Sequence, residues 1–152
     1  MDETAAYIAI TRLQAAYADV VTRRAWPELV PLFTDDAPIH IDTVTQPVIE
    51  LVGPQALGDF IATAIERFAF FEFVPLNTVV DVAAPEAARG RLYMVELRQD
   101  HDGVWSKAFG LYQDGYVHRD GSWRFAERHY QSLARKEDGQ PAAVFPIPPM
   151  RG

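Results

Sequence analysis

The sequence predicts an α+β fold in which helices come first and a run of antiparallel strands follows. Three observations carry this expectation. Apolar residues recur at helical spacing up to about Phe68. Beyond Phe68 the period shortens to that of strands, in segments rich in aromatic and β-branched residues. Those segments are punctuated by Ala84-Pro85, Asp102-Gly103 and Asp120-Gly121, residues suited to tight turns. Helices followed by strands, rather than alternating with them, is the α+β order.

From Thr4 to Arg24 the residues Ile10, Leu13, Tyr17, Val20 and Val21 trace one face of a helix, with Asp2 placed to cap its first turn. Trp26, Leu29, Val30 and Phe33 predict a shorter second helix that opens on Pro27 and ends at Thr34-Asp35-Asp36. Ala37 to Asp42 reads as a short strand, and the stretch to Val52, which contains Pro47, as irregular. Gly53-Pro54 opens a third helix whose stripe Leu57, Phe60, Ile61, Ala64, Ile65 and Phe68 reads as core. Strands are expected at residues 70–74, 76–82, 88–99, 104–118 and 122–131. Residues 1–136 then form one domain. Residues 137–152, with four prolines, form an extended tail lying across a neighbour or the pocket mouth.

A chain of 152 residues with 49% hydrophobic and 23% charged residues has enough apolar surface to fold as a single domain. A formal charge of −7 opposes binding to nucleic acid or an anionic membrane. The absence of Cys removes disulfides, thiolate metal sites and cysteine nucleophiles, and fits a reducing cytoplasm. The acidic Met1-Asp2-Glu3-Thr4 start lacks the features of a signal peptide, so a cytoplasmic protein is expected.

Several segments together carry a resemblance: Tyr17, Trp26-Pro27-Glu28-Leu29, Leu32-Phe33-Thr34-Asp35-Asp36-Ala37, Asn77-Thr78-Val79-Val80-Asp81-Val82, Ala88-Arg89-Gly90-Arg91-Leu92-Tyr93, Tyr112-Gln113-Asp114-Gly115-Tyr116 and Asp120-Gly121-Ser122-Trp123-Arg124-Phe125-Ala126-Glu127-Arg128. In order and spacing the chain resembles, from Met1 to about Leu133, the SnoaL-like branch of the nuclear-transport-factor-2-like superfamily, related to scytalone dehydratase and bile-acid dehydratase. The resemblance implies a cone-shaped α+β barrel, with three N-terminal helices packed on a strongly curved, mostly antiparallel sheet. It also implies a cavity open at one end, and assembly as a dimer or trimer. The superfamily hosts dehydratases, isomerases, cyclases, dioxygenase small subunits and plain binding proteins, so the fold does not fix the activity.

In lyase and isomerase relatives the resemblance implies an Asp–His pair, the Asp five residues after the helix-one Tyr and the His four residues before the Asn of the next strand. Those positions hold Thr22 and Phe73 here, which cannot abstract a proton from carbon. The carboxylate of a ketosteroid-isomerase-like site would fall near Ile41, so that base is missing too. Tyr17 does match, and its hydroxyl is either a hydrogen-bond donor to a ligand carbonyl or that of an ordinary core aromatic. His40 and Asp42 share a strand face that is either turned to the cavity or, with Ile39 and Ile41 inward, turned to solvent or a subunit interface.

For the last hairpin, a two-residue turn at Asp120-Gly121 pairs Arg119 with Ser122, Tyr116 with Phe125, Asp114 with Glu127 and Tyr112 with His129. A bulge shifts that register and brings Asp114 to Arg128, whose bland reading is a structural ion pair. The resemblance implicates the Arg at the Arg128 position in the site. Glu72 and Glu96 stand in apolar strand segments, where each is either an outward residue of an alternating strand or a desolvated carboxylate suited to acid–base work. His40, His101, His118 and His129 are scattered, and no phosphate-cradling loop, nucleophile elbow or dinucleotide fingerprint occurs, so neither metal nor cofactor is expected.

The leading reading is a cofactor-independent lyase, isomerase or cyclase for a hydrophobic or polycyclic carbonyl-bearing molecule. Its candidate catalytic residues are Tyr17, Asp42, Asp114 and Arg128. Its candidate ligand contacts are Val21, Thr22, Phe60, Phe73, Tyr93, Glu96 and Tyr112. The alternatives are a binding or accessory protein that kept the cone without the chemistry and, third, a ring-hydroxylating dioxygenase small subunit.

Overall fold

A computed structural model describes residues 2–151. Helix α1 spans Glu3–Arg23 and starts where the Asp2 carboxylate accepts the Ala5 N–H at 3.1 Å. Its buried face is Ile10, Leu13, Tyr17, Val20 and Val21, as the helical spacing predicts. The second helical segment, Trp26–Leu32, is a 3-10 helix. Pro31 lies inside it and has no N–H to give an α-helical turn, so the tighter winding prevails. Helix α2 covers Pro54–Ala64 and opens at Gly53, whose φ of +85° suits glycine and whose N–H binds the Ala37 carbonyl at 2.9 Å.

The strands are β1 (Pro38–Asp42), β2 (Ile49–Val52), β3 (Phe68–Ala84), β4 (Ala87–Asp100), β5 (Trp105–Arg119), β6 (Ser122–Glu137) and β7 (Ala143–Val144). Six of them form a path in the order β2-β1-β6-β5-β4-β3, with β7 pairing to β6. All pairs are antiparallel except β1 with β6. This is the helix-covered, curved, mostly antiparallel α+β sheet expected from the sequence. Strand β2 lies in the segment read as irregular; its alternating burial places it as an edge strand on β1. Two expected strands are fused in β3, because its edge position lets Pro75 sit at a register shift without breaking the strand.

The last hairpin combines both expected registers. Asp120 and Gly121 have positive φ and make a two-residue turn, so Arg119 faces Ser122 and Tyr116 faces Phe125. A bulge at Ala126 then shifts the pairing, and Asp114 faces Arg128 while Tyr112 faces Tyr130. The expected Asp114–Glu127 and Tyr112–His129 pairs therefore do not form. Beyond the bulge, Arg128 and Tyr130 share the concave face with Tyr112 and Asp114, and Glu127 and His129 go to the convex one. Gly110 on β5 is required by a close approach: a β-carbon there would collide with the Tyr130 ring.

The tail is extended but does not cross the cavity mouth. Phe145 donates its N–H to Leu133 O, Gln131 bonds Pro146 O, and Gln113 bonds both Pro149 O and Arg151 N, tying it along the convex side of β5 and β6. Among the described residues, no helix is long and apolar enough to cross a membrane.

Candidate functional site

The concave sheet face, α1 and α2 enclose a cavity of about 240 Å³. Of the sequence-predicted residues, Tyr17, Val21, Phe60, Phe73, Glu96, Tyr112 and Arg128 line it. Ile39 and Ile41 of β1 also line it.

At its inner end the walls are aromatic. The Tyr17 ring lies 5.4 Å from Phe73, 6.2 Å from Tyr112 and 5.9 Å from Phe125. The Arg128 guanidinium is set among them, 3.8 Å from the Tyr112 ring centre and 4.4 Å from that of Tyr17. Its side chain is 1% exposed. Behind it, Asp114 accepts Nε at 2.8 Å and Nη2 at 3.1 Å. Asp114 Oδ2 also accepts the Tyr116 hydroxyl at 3.0 Å, and Tyr116 in turn accepts Gln14 Nε2 at 2.8 Å. Because the Gln14 amide can only donate there, the Tyr116 proton is committed to Asp114. Arg128 Nη1 remains buried with no partner among the described residues. An unpaired charged donor at a cavity wall is costly unless an acceptor fills it.

Burial raises the Asp114 carboxyl, opposed by Arg128 and the donated hydrogen bonds. Burial alone would lower the guanidinium, yet the Asp114 charge, the Tyr17 and Tyr112 phenols and the Asp114 hydrogen bonds together outweigh it and leave Arg128 above its ordinary value. With three donors converging on two carboxylate oxygens, the pair is ionised near neutrality. Burial also raises the phenols of Tyr17 and Tyr112, so both stay protonated and available as donors.

Glu96 reaches the cavity from β4 and accepts Arg98 Nη1 at 3.2 Å. Burial pushes its carboxyl above the usual value, with Arg98 pulling the other way. It is thus a desolvated carboxylate held by one guanidinium, whereas Glu72 is exposed.

Four sequence-predicted residues are placed elsewhere. Tyr93 faces Leu111 on the convex side, because strand alternation turns its neighbours Leu92 and Met94 inward. Asp42 ends β1 with Oδ1 accepting the Val44 N–H at 2.8 Å, a turn contact made outside the cavity. Thr22 Oγ1 accepts the Phe73 N–H at 3.0 Å and fastens α1 to β3, so the Thr22 position sits beside Phe73 but offers the cavity no group. Asp114 stands behind Arg128 rather than on the cavity wall. His40 and His129 pair on the convex side, their rings 5.2 Å apart.

The cavity wall also includes Phe68, Phe71, Arg67, Arg98, Tyr130 and Arg135, which sequence reasoning missed. Arg98 and Tyr130 follow Glu96 and Arg128 by two residues, so strand alternation was a usable signal for both. Arg67 lies in the α2–β3 connection and Arg135 beyond the expected end of β6, where no periodicity pointed. No group of three or more His, Asp or Glu is placed to hold a metal ion among the described residues.

The fold has structural counterparts among solved proteins. A provisionally assigned scytalone dehydratase from Novosphingobium aromaticivorans superposes with a TM-score of 0.78 at 19% identity, covering 98% of this chain and 97% of that one. LinA gives 0.80 at 20% identity, covering 96% and 97%. The type 3 LinA hexachlorocyclohexane dehydrochlorinase from Novosphingobium barchaimii gives 0.79 at 18%, covering 97% of each chain. At such identities the likeness is one of fold. No curated protein matches the sequence. The SnoaL-like domain model matches residues 2–129, from the Asp2 cap through the Asp114–Arg128 pair, and the chain belongs to that family.

Proposed function

We propose that the chain is a cofactor-independent proton-transfer enzyme of the lyase or isomerase class, acting on an apolar molecule that presents one carbonyl-type acceptor. The observation that carries this reading is the buried, unpartnered Arg128 Nη1 at the wall of an aromatic cavity that also holds a desolvated carboxylate, Glu96. In this reading Arg128 Nη1 and the Tyr17 hydroxyl bind the acceptor and stabilise the oxyanion that develops on it. Glu96 takes the proton from the adjacent carbon, in place of an imidazole at Phe73. Burial raises its pKa, which strengthens it as a base once it is deprotonated. The structural counterparts whose names denote a dehydratase and a dehydrochlorinase support the lyase class.

The test is deuterium exchange into β-tetralone, a two-ring ketone with acidic α-protons, followed by NMR in D2O. Wild type is expected to accelerate exchange and Glu96→Gln to lose roughly 100-fold or more. The rate must rise with pH through a midpoint above the ordinary Glu value, since the base acts only when deprotonated and burial raises its pKa. Stability runs the other way. A carboxyl raised on folding contributes stability below its unfolded pKa and loses it as pH rises through the folded one. Glu96→Gln should therefore flatten that decline.

A second reading is a binding protein without chemistry, favoured by Thr22 and Phe73 at the positions where relatives are expected to carry the base. Saturable β-tetralone binding with no exchange above background would select it over the enzyme.

A further inference from the structure

The cavity has a charge opposite to that of the molecule around it. Asp and Glu outnumber Lys and Arg 21 to 14 in the chain, yet the cavity is lined by Arg67, Arg98, Arg128 and Arg135 and by a single carboxylate, Glu96, among the described residues. Arg128 is neutralised by Asp114 and Arg98 by Glu96. Arg67 and Arg135 have no carboxylate partner among the described residues. Arg135 Nη2 donates to the Thr43 carbonyl at 3.0 Å and the Thr45 hydroxyl at 2.9 Å, and its guanidinium lies 5.1 Å from the Phe145 ring centre. Arg67 and Arg98 both lie over the Phe68 ring, 4.6 and 4.8 Å from its centre. Two guanidinium groups on one ring concentrate positive charge there and raise the local potential for an anion.

These arginines are separated by position from Arg128. Arg128 is enclosed by Tyr17, Tyr112 and Phe125, whereas Arg67 is exposed and Arg135 half-buried. The wall also carries the apolar side chains of Phe60, Ile61, Phe71 and Phe73. A ligand that satisfies both ends has an acceptor at one end, a flat apolar body and an oxyanion at the other.

We propose that the mouth of the cavity is an oxyanion subsite formed by Arg67 and Arg135, beside the Glu96-paired Arg98, and that the natural ligand is an amphipathic anion, an apolar ring system bearing one carboxylate or phosphate. This rests on reading the cavity as a small-molecule site and narrows its substrate class. The excess positive charge draws the anion from solution, and the guanidinium forks orient it with the apolar end inward.

The test uses three probes with one ring system: 2-naphthoic acid, its neutral counterpart 2-naphthamide, and 2-naphthyl phosphate, titrated by calorimetry into the full-length protein. The acid is expected to bind more tightly than the amide, with an advantage that shrinks as salt is raised from about 0.02 M to about 0.5 M. Arg67→Gln and Arg135→Gln should each weaken the acid about threefold and together about tenfold, leaving the amide unchanged. Arg67→Lys, which keeps the charge, should retain most of the acid's affinity. Phosphate tighter than carboxylate assigns a phosphate ligand, and the reverse order a carboxylate. Equal, salt-independent binding of acid and amide, or acid binding indifferent to both Gln variants, overturns the subsite while leaving the cavity reading intact. Failure of all three probes to bind overturns both.

Discussion

The two ends of the cavity treat the same side chain in opposite ways. At the inner end Arg128 is desolvated, fixed by a bidentate carboxylate and enclosed by three aromatic rings. At the mouth Arg67 is exposed and Arg135 half-buried, and no carboxylate holds either among the described residues. Burying a guanidinium costs several kcal/mol unless its partners are complete, so the inner end must be built by the fold. An exposed guanidinium costs little and contributes a field rather than a fixed geometry. The difference teaches where each kind of effect should be measured: changes at the inner end should register in stability, and changes at the mouth in ligand affinity.

The comparison breaks most directly at Asp114. Asp114→Asn keeps the shape but leaves the buried Arg128 charge without its counter-ion, and urea denaturation should show a loss of about 3–5 kcal/mol. The double variant Asp114→Asn/Arg128→Met removes the stranded charge and should recover most of the loss. If the single variant were as stable as wild type, the inner end would not be the built pole described here.

Legibility from sequence follows the same division. Tyr17, Phe73 and Tyr112 were found because helical spacing and strand alternation set the phase of their elements. Tyr93 was misplaced because Leu92-Tyr93-Met94-Val95 is apolar throughout, so the pattern carries no phase there, and only the pairing of Leu92 with Tyr112 resolves it. The Arg128–Asp114 contact depended on one extra residue, Ala126, which no propensity marks as a bulge. The helical character of residues 26–32 was legible, but the choice between α and 3-10 winding turned on Pro31. Arg135 lies past Gln131, where the expected strand ends, although β6 carries it to Glu137. The Asp42 turn contact lies just past a strand end, where local hydrogen bonding rather than periodicity decides direction.

A finer probe of the inner end is Tyr116→Phe. The hydroxyl is the middle of the Gln14–Tyr116–Asp114 chain, so its removal deprives Asp114 of one donor and leaves the Gln14 amide, 3% exposed, without its acceptor. A loss of about 1–3 kcal/mol is expected, most of it from the stranded amide. Adding Gln14→Leu should return part of it in the same urea assay. No recovery would mean that the cost lies in Asp114 and Arg128 alone.

The smallest expected effect sharpens the comparison from the other side. Arg67 is exposed, has no carboxylate partner among the described residues and touches the fold through the Phe68 ring, which it shares with Arg98. Arg67→Gln removes a cation–π contact worth about 0.5–1 kcal/mol at such a site, and also removes the repulsion between two guanidinium groups on one ring. The two changes oppose each other, so the net change in unfolding free energy should stay within about 0.5 kcal/mol. They separate by salt. Screening reduces the repulsion more than the short-range contact, so the variant should compare best with wild type near 0.01 M salt, where the Debye length is about 30 Å, and slightly worse near 1 M. Urea titrations at the two salt concentrations measure the crossover. A large, salt-independent loss would show that Arg67 is structural, and the contrast between a built inner end and a field-bearing mouth would fail at that residue.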